Sequence, residues 1–167
     1  MTLAESRAWA VLAEVPDPEI PVLSVVDLGI VRDVREFQEG TAVSVVLTPT
    51  YSGCPAMQVI EEDIRAALVA HGVGPVSIEM AYAPAWTSDW LSDEAKRKLE
   101  EYGIAPPGPA GDSALVTISR RATSSPPKCP YCGSRDTEVK SEFGSTACKS
   151  ICFCNACRQP FEQFKAI

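Results

Sequence analysis

One histidine, His71, serves the whole chain of 167 residues, and that scarcity removes several kinds of chemistry at once. A di-iron carboxylate oxygenase takes a Glu-x-x-His from each of two helices, and a Ser-His-Asp hydrolase would have only His71 to draw on. The Gly-x-x-x-x-Gly-Lys phosphate loop and the Gly-x-Gly-x-x-Gly dinucleotide turn are both missing. No apolar run is long enough to span a bilayer, and the opening Met1-Thr2-Leu3-Ala4-Glu5-Ser6-Arg7 lacks the basic-then-apolar organisation of a signal peptide. The expectation is a cytoplasmic protein with no membrane partner. Basic charge is scarce too: the formal net charge is −7, with nine Lys/Arg against eighteen Asp/Glu in residues 1–127. Residues 128–167 hold six against four, and four thiolates around a divalent ion would bring that segment to about zero. A protein that neutralises phosphates needs a basic stripe, so nucleic acid is not an expected partner.

Cysteine, by contrast, is plentiful: there are seven. Without a secretory signal, seven thiols point to a reducing compartment and to metal or thiol chemistry rather than disulfides. Cys129-Pro-Tyr-Cys132 and Cys154-Asn-Ala-Cys157 are separated by 21 residues, the arrangement that brings four thiolates around one tetrahedral ion in a structural zinc ribbon. Gly133 follows the first pair and supplies the left-handed conformation that turns backbone N–H groups toward the sulfurs. A segment this short builds little core of its own, so a metal staple is physically required. Two other readings of the same residues stand beside zinc. Cys-Pro-Tyr-Cys also serves as a thiol–disulfide exchange site, although that use wants a strand-to-helix junction. Four thiolates also suit a single iron, which spacing does not separate from zinc. Cys54, Cys148 and Cys152 are left over.

The remaining pattern predicts an α/β (α+β) fold: a small sheet with packed helices, followed by the C-terminal ribbon. Thr2 and Glu5 form a capping box for a helix reaching about Glu14, which Pro16, Pro18 and Pro21 terminate. Strands are expected over residues 30–37 and 41–47, joined at Gln38-Glu39-Gly40, and a third over 75–82. Between them, Met57, Ile60, Ile64 and Leu68 make the apolar stripe of a helix over residues 55–71, closed by Gly72 with His71 in its last turn. Ser92 caps a further helix that stops at Gly103. The expected division is a domain over 1–105, a Pro/Gly/Ser-rich linker over 106–127 with a short strand at 115–120, and the ribbon over 128–167.

Thr48-Pro49-Thr50-Tyr51-Ser52-Gly53-Cys54-Pro55 joins a strand to that first-domain helix. With Pro55 at the first helical position and Cys54 as cap, the thiol is expected to meet unpaired N–H groups and the positive end of the helix dipole, which favour thiolate. A small cysteine filling a gap is the plainer alternative.

Asp17-Pro18-Glu19-Ile20-Pro21, Ser24 through Val31, Thr48 through Pro55, and Ala83-Pro84-Ala85-Trp86 followed by Leu91 through Ala95 resemble the small α/β domain of SufT-related iron–sulfur assembly factors. The tail, with Ser141-Glu142-Phe143-Gly144-Ser145-Thr146-Ala147-Cys148-Lys149 between its cysteine pairs, is similar to one subgroup, the PaaD subunits associated with phenylacetyl-CoA epoxidase. The resemblance implies an accessory role in phenylacetate degradation, assembling or repairing iron–sulfur or di-iron centres rather than catalysing epoxidation. It implies Cys54 as the functional cysteine and transient ligand of iron or a cluster, Asp27 as its acidic companion, and structural zinc at Cys129, Cys132, Cys154 and Cys157. Expected partners are epoxidase subunits or other iron–sulfur assembly proteins, with a homodimer allowed. A structural adaptor that docks through the ribbon, and a thiol–disulfide enzyme using Cys129 and Cys132, are the alternatives.

Overall fold

The computed structural model describes residues 1–37, 42–51, 53–108 and 126–167. Two compact units divide at Trp86/Thr87. The expected turn at residues 38–40 and the expected strand over 115–120 lie outside the described residues.

In the first unit, helix α1 (Leu3–Leu12) opens with the capping box: the Thr2 hydroxyl accepts from the Glu5 N–H and the Glu5 carboxylate accepts from the Thr2 N–H. It ends two residues before the expected Glu14, at the Ala13 cap. Strands β1 (Val31–Phe37) and β2 (Ala42–Leu47) pair antiparallel, and β2 pairs in parallel with β3 (Val76–Met80). The parallel pair needs a crossover, and helix α2 (Met57–Ala70) supplies it. Period two predicts one buried face for β2, yet all six of its residues are buried, because it is the central strand. Even Ser44 is covered, and its hydroxyl donates to Glu79 at 2.8 Å. The α2 stripe is as the 3.6-residue period requires: Met57, Ile60, Ile64 and Leu68 are its buried residues. With Leu12, Ile20, Leu23, Leu28 and Leu47 they make the aliphatic core.

In the second unit, a 3-10 turn (Ser88–Trp90) leads to helix α3 (Asp93–Tyr102), capped by the Ser92 hydroxyl on the Ala95 N–H and ended at Gly103. Among the described residues, the two-residue β4 (Ile104–Ala105) is followed by β5 (Thr137–Ser141), β6 (Lys149–Cys154) and β7 (Pro160–Phe164). The sheet order is β4-β7-β6-β5, with β4 parallel to β7 and the other pairs antiparallel. That parallel contact explains why the compact units part at residue 86 whereas sequence pattern suggests 105. Ile104 and Ala105 are strand partners of Glu162 and Gln163, so α3 belongs with the ribbon. One buried cluster of this unit is sulfur-rich, made of Ala105, Cys129, Cys152, Cys154 and Phe161; Leu91, Leu99 and Phe164 are buried as well. Cys152 is fully buried there, which makes it a packing residue.

Candidate metal centre and the Cys54 turn

Two backbone knuckles aim the ribbon sulfurs, and they are built alike. In the first, the Gly133 N–H donates to the Cys129 carbonyl at 2.9 Å and the Cys129 N–H to the Ser134 carbonyl at 2.9 Å. In the second, the Arg158 N–H donates to the Cys154 carbonyl at 2.9 Å and the Cys154 N–H to the Gln159 carbonyl at 3.0 Å. The residue after each second cysteine is left-handed, Gly133 at φ 75° and Arg158 at φ 63°. Glycine takes this conformation freely; for arginine it costs about 1 kcal/mol. The Arg158 guanidinium lies 5.3 Å from the centroid of the Phe153 ring, a cation–π contact that offsets part of that cost. Sequence reading identifies the glycine; nothing in the residue type marks Arg158. A further tie joins the second knuckle to the start of β5: the Asn155 N–H donates to the Asp136 carbonyl and its side-chain amide to the Asp136 carboxylate.

The result is a cluster in which the sulfurs of Cys129, Cys132, Cys154 and Cys157 all lie within 4.8 Å of one another. Cys129 and Cys157 are 3.7 Å apart, and Cys132 and Cys154 are 3.6 Å apart. Thiolates bound to zinc at about 2.3 Å sit at tetrahedron corners about 3.8 Å apart, so the donor set and its spacing fit this ion. The separations are far beyond a disulfide bond, and all seven cysteines are free thiols. The clustered thiols differ in acidity. The N–H of Cys157 draws the Cys154 thiol down to about 7, while burial against its neighbours pushes Cys157 up to about 12. A divalent cation would take the place of the shared protons.

Cys54 sits in a different setting. Strand β2 delivers the chain to Thr48, whose N–H is held by the Ile30 carbonyl, and a turn follows in which the Cys54 N–H donates to the Tyr51 carbonyl at 3.1 Å. Gly53 is left-handed at φ 93°, with open space where a Cβ would stand, so backbone conformation alone demands glycine there. The expected cap geometry is not what forms. Helix α2 starts at Met57 with Ala56 at the cap position, and the Met57 N–H donates to the Cys54 carbonyl at 3.3 Å. A turn over Cys54 to Met57 thus intervenes, and Pro55 lies outside the helix.

The expected acidity of Cys54 is corrected as well. Its half-buried thiol is pushed up from the ordinary value, first by burial and then by the carboxylates of Glu19 and Asp17, while N–H groups of Ala56 and Met57 pull the other way. The dipole expectation left out the acidic loop. Asp17 is itself buried, accepting from the N–H groups of Glu19 and Ile20 at 2.9 and 2.7 Å. The Asp17-Pro18-Glu19 motif stands out in the sequence, but nothing there brings its carboxylates to the thiol. Asp27 caps its own turn: its carboxylate accepts from the Ser24 N–H at 3.1 Å and the Ser24 hydroxyl accepts from the Asp27 N–H at 3.0 Å. The buried Trp86 indole fixes the next residue, donating to the Leu28 carbonyl at 2.8 Å. Of the remaining cysteines, Cys148 is buried with the Thr146 hydroxyl 3.1 Å from its sulfur.

Known proteins resemble the two parts of the chain separately and together. Residues 114–165 match the PaaD zinc beta ribbon domain, and residues 5–80 match the iron–sulfur cluster assembly protein family. A protein of Escherichia coli (strain K12), named as a subunit of the "Putative 1,2-phenylacetyl-CoA epoxidase", is 47% identical over 159 residues, covering 95% of this chain and 91% of that one. The chain belongs to the PaaD family. An Fe-S protein maturation auxiliary factor of Porphyromonas gingivalis (strain ATCC BAA-308 / W83) is 40% identical over 89 residues, 53% of this chain and 83% of its own. The crystal structure of a domain of unknown function, DUF59, from Bacillus anthracis superposes with a TM-score of 0.53 at 28% identity, covering 57% of this chain and 91% of that one. Among the described residues, no helix of this PaaD-family chain is long and apolar enough to cross a membrane.

Proposed function

We propose that this protein is an accessory factor of a phenylacetyl-CoA epoxidase system, and that it hands iron or an iron–sulfur cluster to the metal centres of that system through Cys54. The observation that carries the reading is the contrast in ligand number. Among the described residues, the ribbon cysteines are the only group of three or more candidate ligands close enough to share an ion. Cys54 offers one soft sulfur in an irregular turn, beside the carboxylates of Glu19 and Asp17. One thiolate suits a cargo that must leave; four convergent thiolates suit an ion that stays. In this reading Cys129, Cys132, Cys154 and Cys157 hold a structural zinc, and Asp27 shapes the turn that Trp86 anchors. Bound zinc would supply folding free energy and no chemistry at Cys54.

An adaptor role for the ribbon has its own support. The maturation-factor relative matches 53% of this chain, whereas the epoxidase relative matches 95%, so the ribbon distinguishes the latter group. The ribbon would then choose the client and Cys54 would serve it. Thiol–disulfide exchange at Cys129 and Cys132 is disfavoured, because each sulfur is in contact with one from the opposite knuckle inside a four-thiol cluster.

The test is a deletion strain complemented with wild type or Cys54→Ser. The expected outcome is epoxidase subunits made at normal levels but depleted of iron and inactive, with no rescue by Cys54→Ser. Full metallation and turnover without the protein would refute assembly. Full rescue by Cys54→Ser would leave the adaptor role in its place.

A further inference from the structure

The four ribbon sulfurs differ in access: Cys129 and Cys154 are buried, Cys157 is half-buried, and Cys132 is exposed. An oxidant from solvent therefore reaches Cys132 first. Two sulfur contacts also run between the knuckles, 3.6 Å for Cys132 with Cys154 and 3.7 Å for Cys129 with Cys157. We propose that the cluster is a reversible peroxide-sensitive switch, entered at Cys132 and closed by disulfides between the knuckles, Cys132–Cys154 first and Cys129–Cys157 second. The proposal rests on the zinc reading above.

The chemistry balances with hydrogen peroxide as oxidant. The Cys132 thiolate attacks one peroxide oxygen; the S–O bond forms, the O–O bond breaks, and hydroxide leaves to take up a proton. That sulfur has lost two electrons as a sulfenic acid. The Cys154 thiolate then attacks it; the S–S bond forms, the S–O bond breaks, and the departing hydroxide is protonated to water. Two thiolates, one peroxide and two protons thus become one disulfide and two waters. With two of four donors gone the cation is released, and a second peroxide oxidises Cys129 and Cys157 in the same way. Both links tie the β5 side of the sheet to the β6–β7 turn, so the oxidised ribbon keeps its knuckles together and thiol reductant with zinc restores it. Cys54 competes poorly for the oxidant, since burial, Glu19 and Asp17 hold its thiol in the protonated form.

The experiment uses the full chain, purified without air and assayed for metal before any treatment. Finding iron, or no metal, in place of one zinc overturns the underlying reading before peroxide is added. Stoichiometric hydrogen peroxide is then added with a chromogenic zinc chelator present, and disulfides are mapped by peptide mass spectrometry. The expected result is release of one zinc with loss of two thiols, and Cys132–Cys154 as the first linkage. Cys132→His keeps a three-sulfur, one-nitrogen donor set and is expected to slow zinc release about tenfold. A first linkage within a knuckle, Cys129–Cys132 or Cys154–Cys157, would overturn the proposal. So would zinc release from Cys132→His as fast as from wild type, or zinc retention with Cys54 oxidised.

Discussion

The two units use cysteine in opposite ways. In the first, an aliphatic core of Leu12, Ile20, Ile60, Ile64 and Leu68 makes the fold, and the one cysteine is left in a turn at the end of β2. In the second, sulfur is part of the core: beside Leu91, Leu99 and Phe164 lies a buried cluster of five in which three are cysteines, two of them metal-cluster residues. The difference teaches what each thiol is free to do. A sulfur that holds a fold together converges with three others on one point, as at Cys129 and Cys154. A sulfur on an already stable domain carries no such duty and is available to a cargo.

The sharpest way to break this comparison is to remove one buried member from each kind of core. Cys129→Ser is expected to abolish zinc binding and unfold the second unit, since structural zinc contributes about 10 kcal/mol or more of folding free energy. Helix α3 should melt with it, because β4 runs alongside β7; far-UV circular dichroism and zinc analysis of the purified variant check both. Ile64→Ala should instead lower the stability of the first unit by about 2–5 kcal/mol, with zinc content unchanged. Loss of zinc from Ile64→Ala, or α3 intact in Cys129→Ser, would blur the division.

A smaller effect separates the knuckles. Gly133→Ala places its Cβ 3.5 Å from the Lys128 Cε, an ordinary contact, so its cost is backbone strain alone, about 1 kcal/mol. Arg158→Gly removes a comparable strain but also the Phe153 contact, and the expected change is within about 0.5 kcal/mol of zero. Denaturant midpoints of the zinc-loaded proteins measure the pair.

The smallest effect reads the environment of Cys54. Its folded-state thiol is raised, so alkylation by iodoacetamide should climb at a higher pH than for an ordinary cysteine. The raised value also means the protonated thiol favours the folded state. That contribution is complete below the unfolded-state pKa and is lost as pH rises through the folded-state one. Glu19→Gln removes a carboxylate that resists thiolate formation and should shift the alkylation profile toward lower pH. An unchanged profile would take Glu19 out of the site.

Much of this was legible in the sequence because it depends on local pattern. The α2 stripe, the Thr2/Glu5 capping box, the Ser92 and Gly103 ends of α3 and the paired Cys-x-x-Cys spacing each declare themselves within a few residues. What was not legible depends on tertiary partners. β4 is two residues long and exists because β7 lies beside it. Arg158 is left-handed because the second knuckle repeats the first. Cys152 and Cys154 share the buried face of β6, and only tertiary placement makes one a packing residue and the other a member of the metal cluster. The acidity of Cys54 went the opposite way from the dipole argument, first because the thiol is half-buried and then because the Asp17–Glu19 loop, from more than thirty residues earlier in the chain, adds its carboxylates.

The central claim is that one thiol carries cargo while four hold structure, and cluster transfer tests it most directly. Wild type and Cys54→Ser, each carrying its ribbon zinc, are incubated without air with iron and sulfide, desalted, and mixed with metal-free epoxidase components. Iron and sulfide in the recovered acceptor are then measured. The account predicts one zinc in both proteins, with iron and sulfide passed on by wild type alone. Equal transfer by Cys54→Ser, or loss of zinc on replacing Cys54, would contradict it.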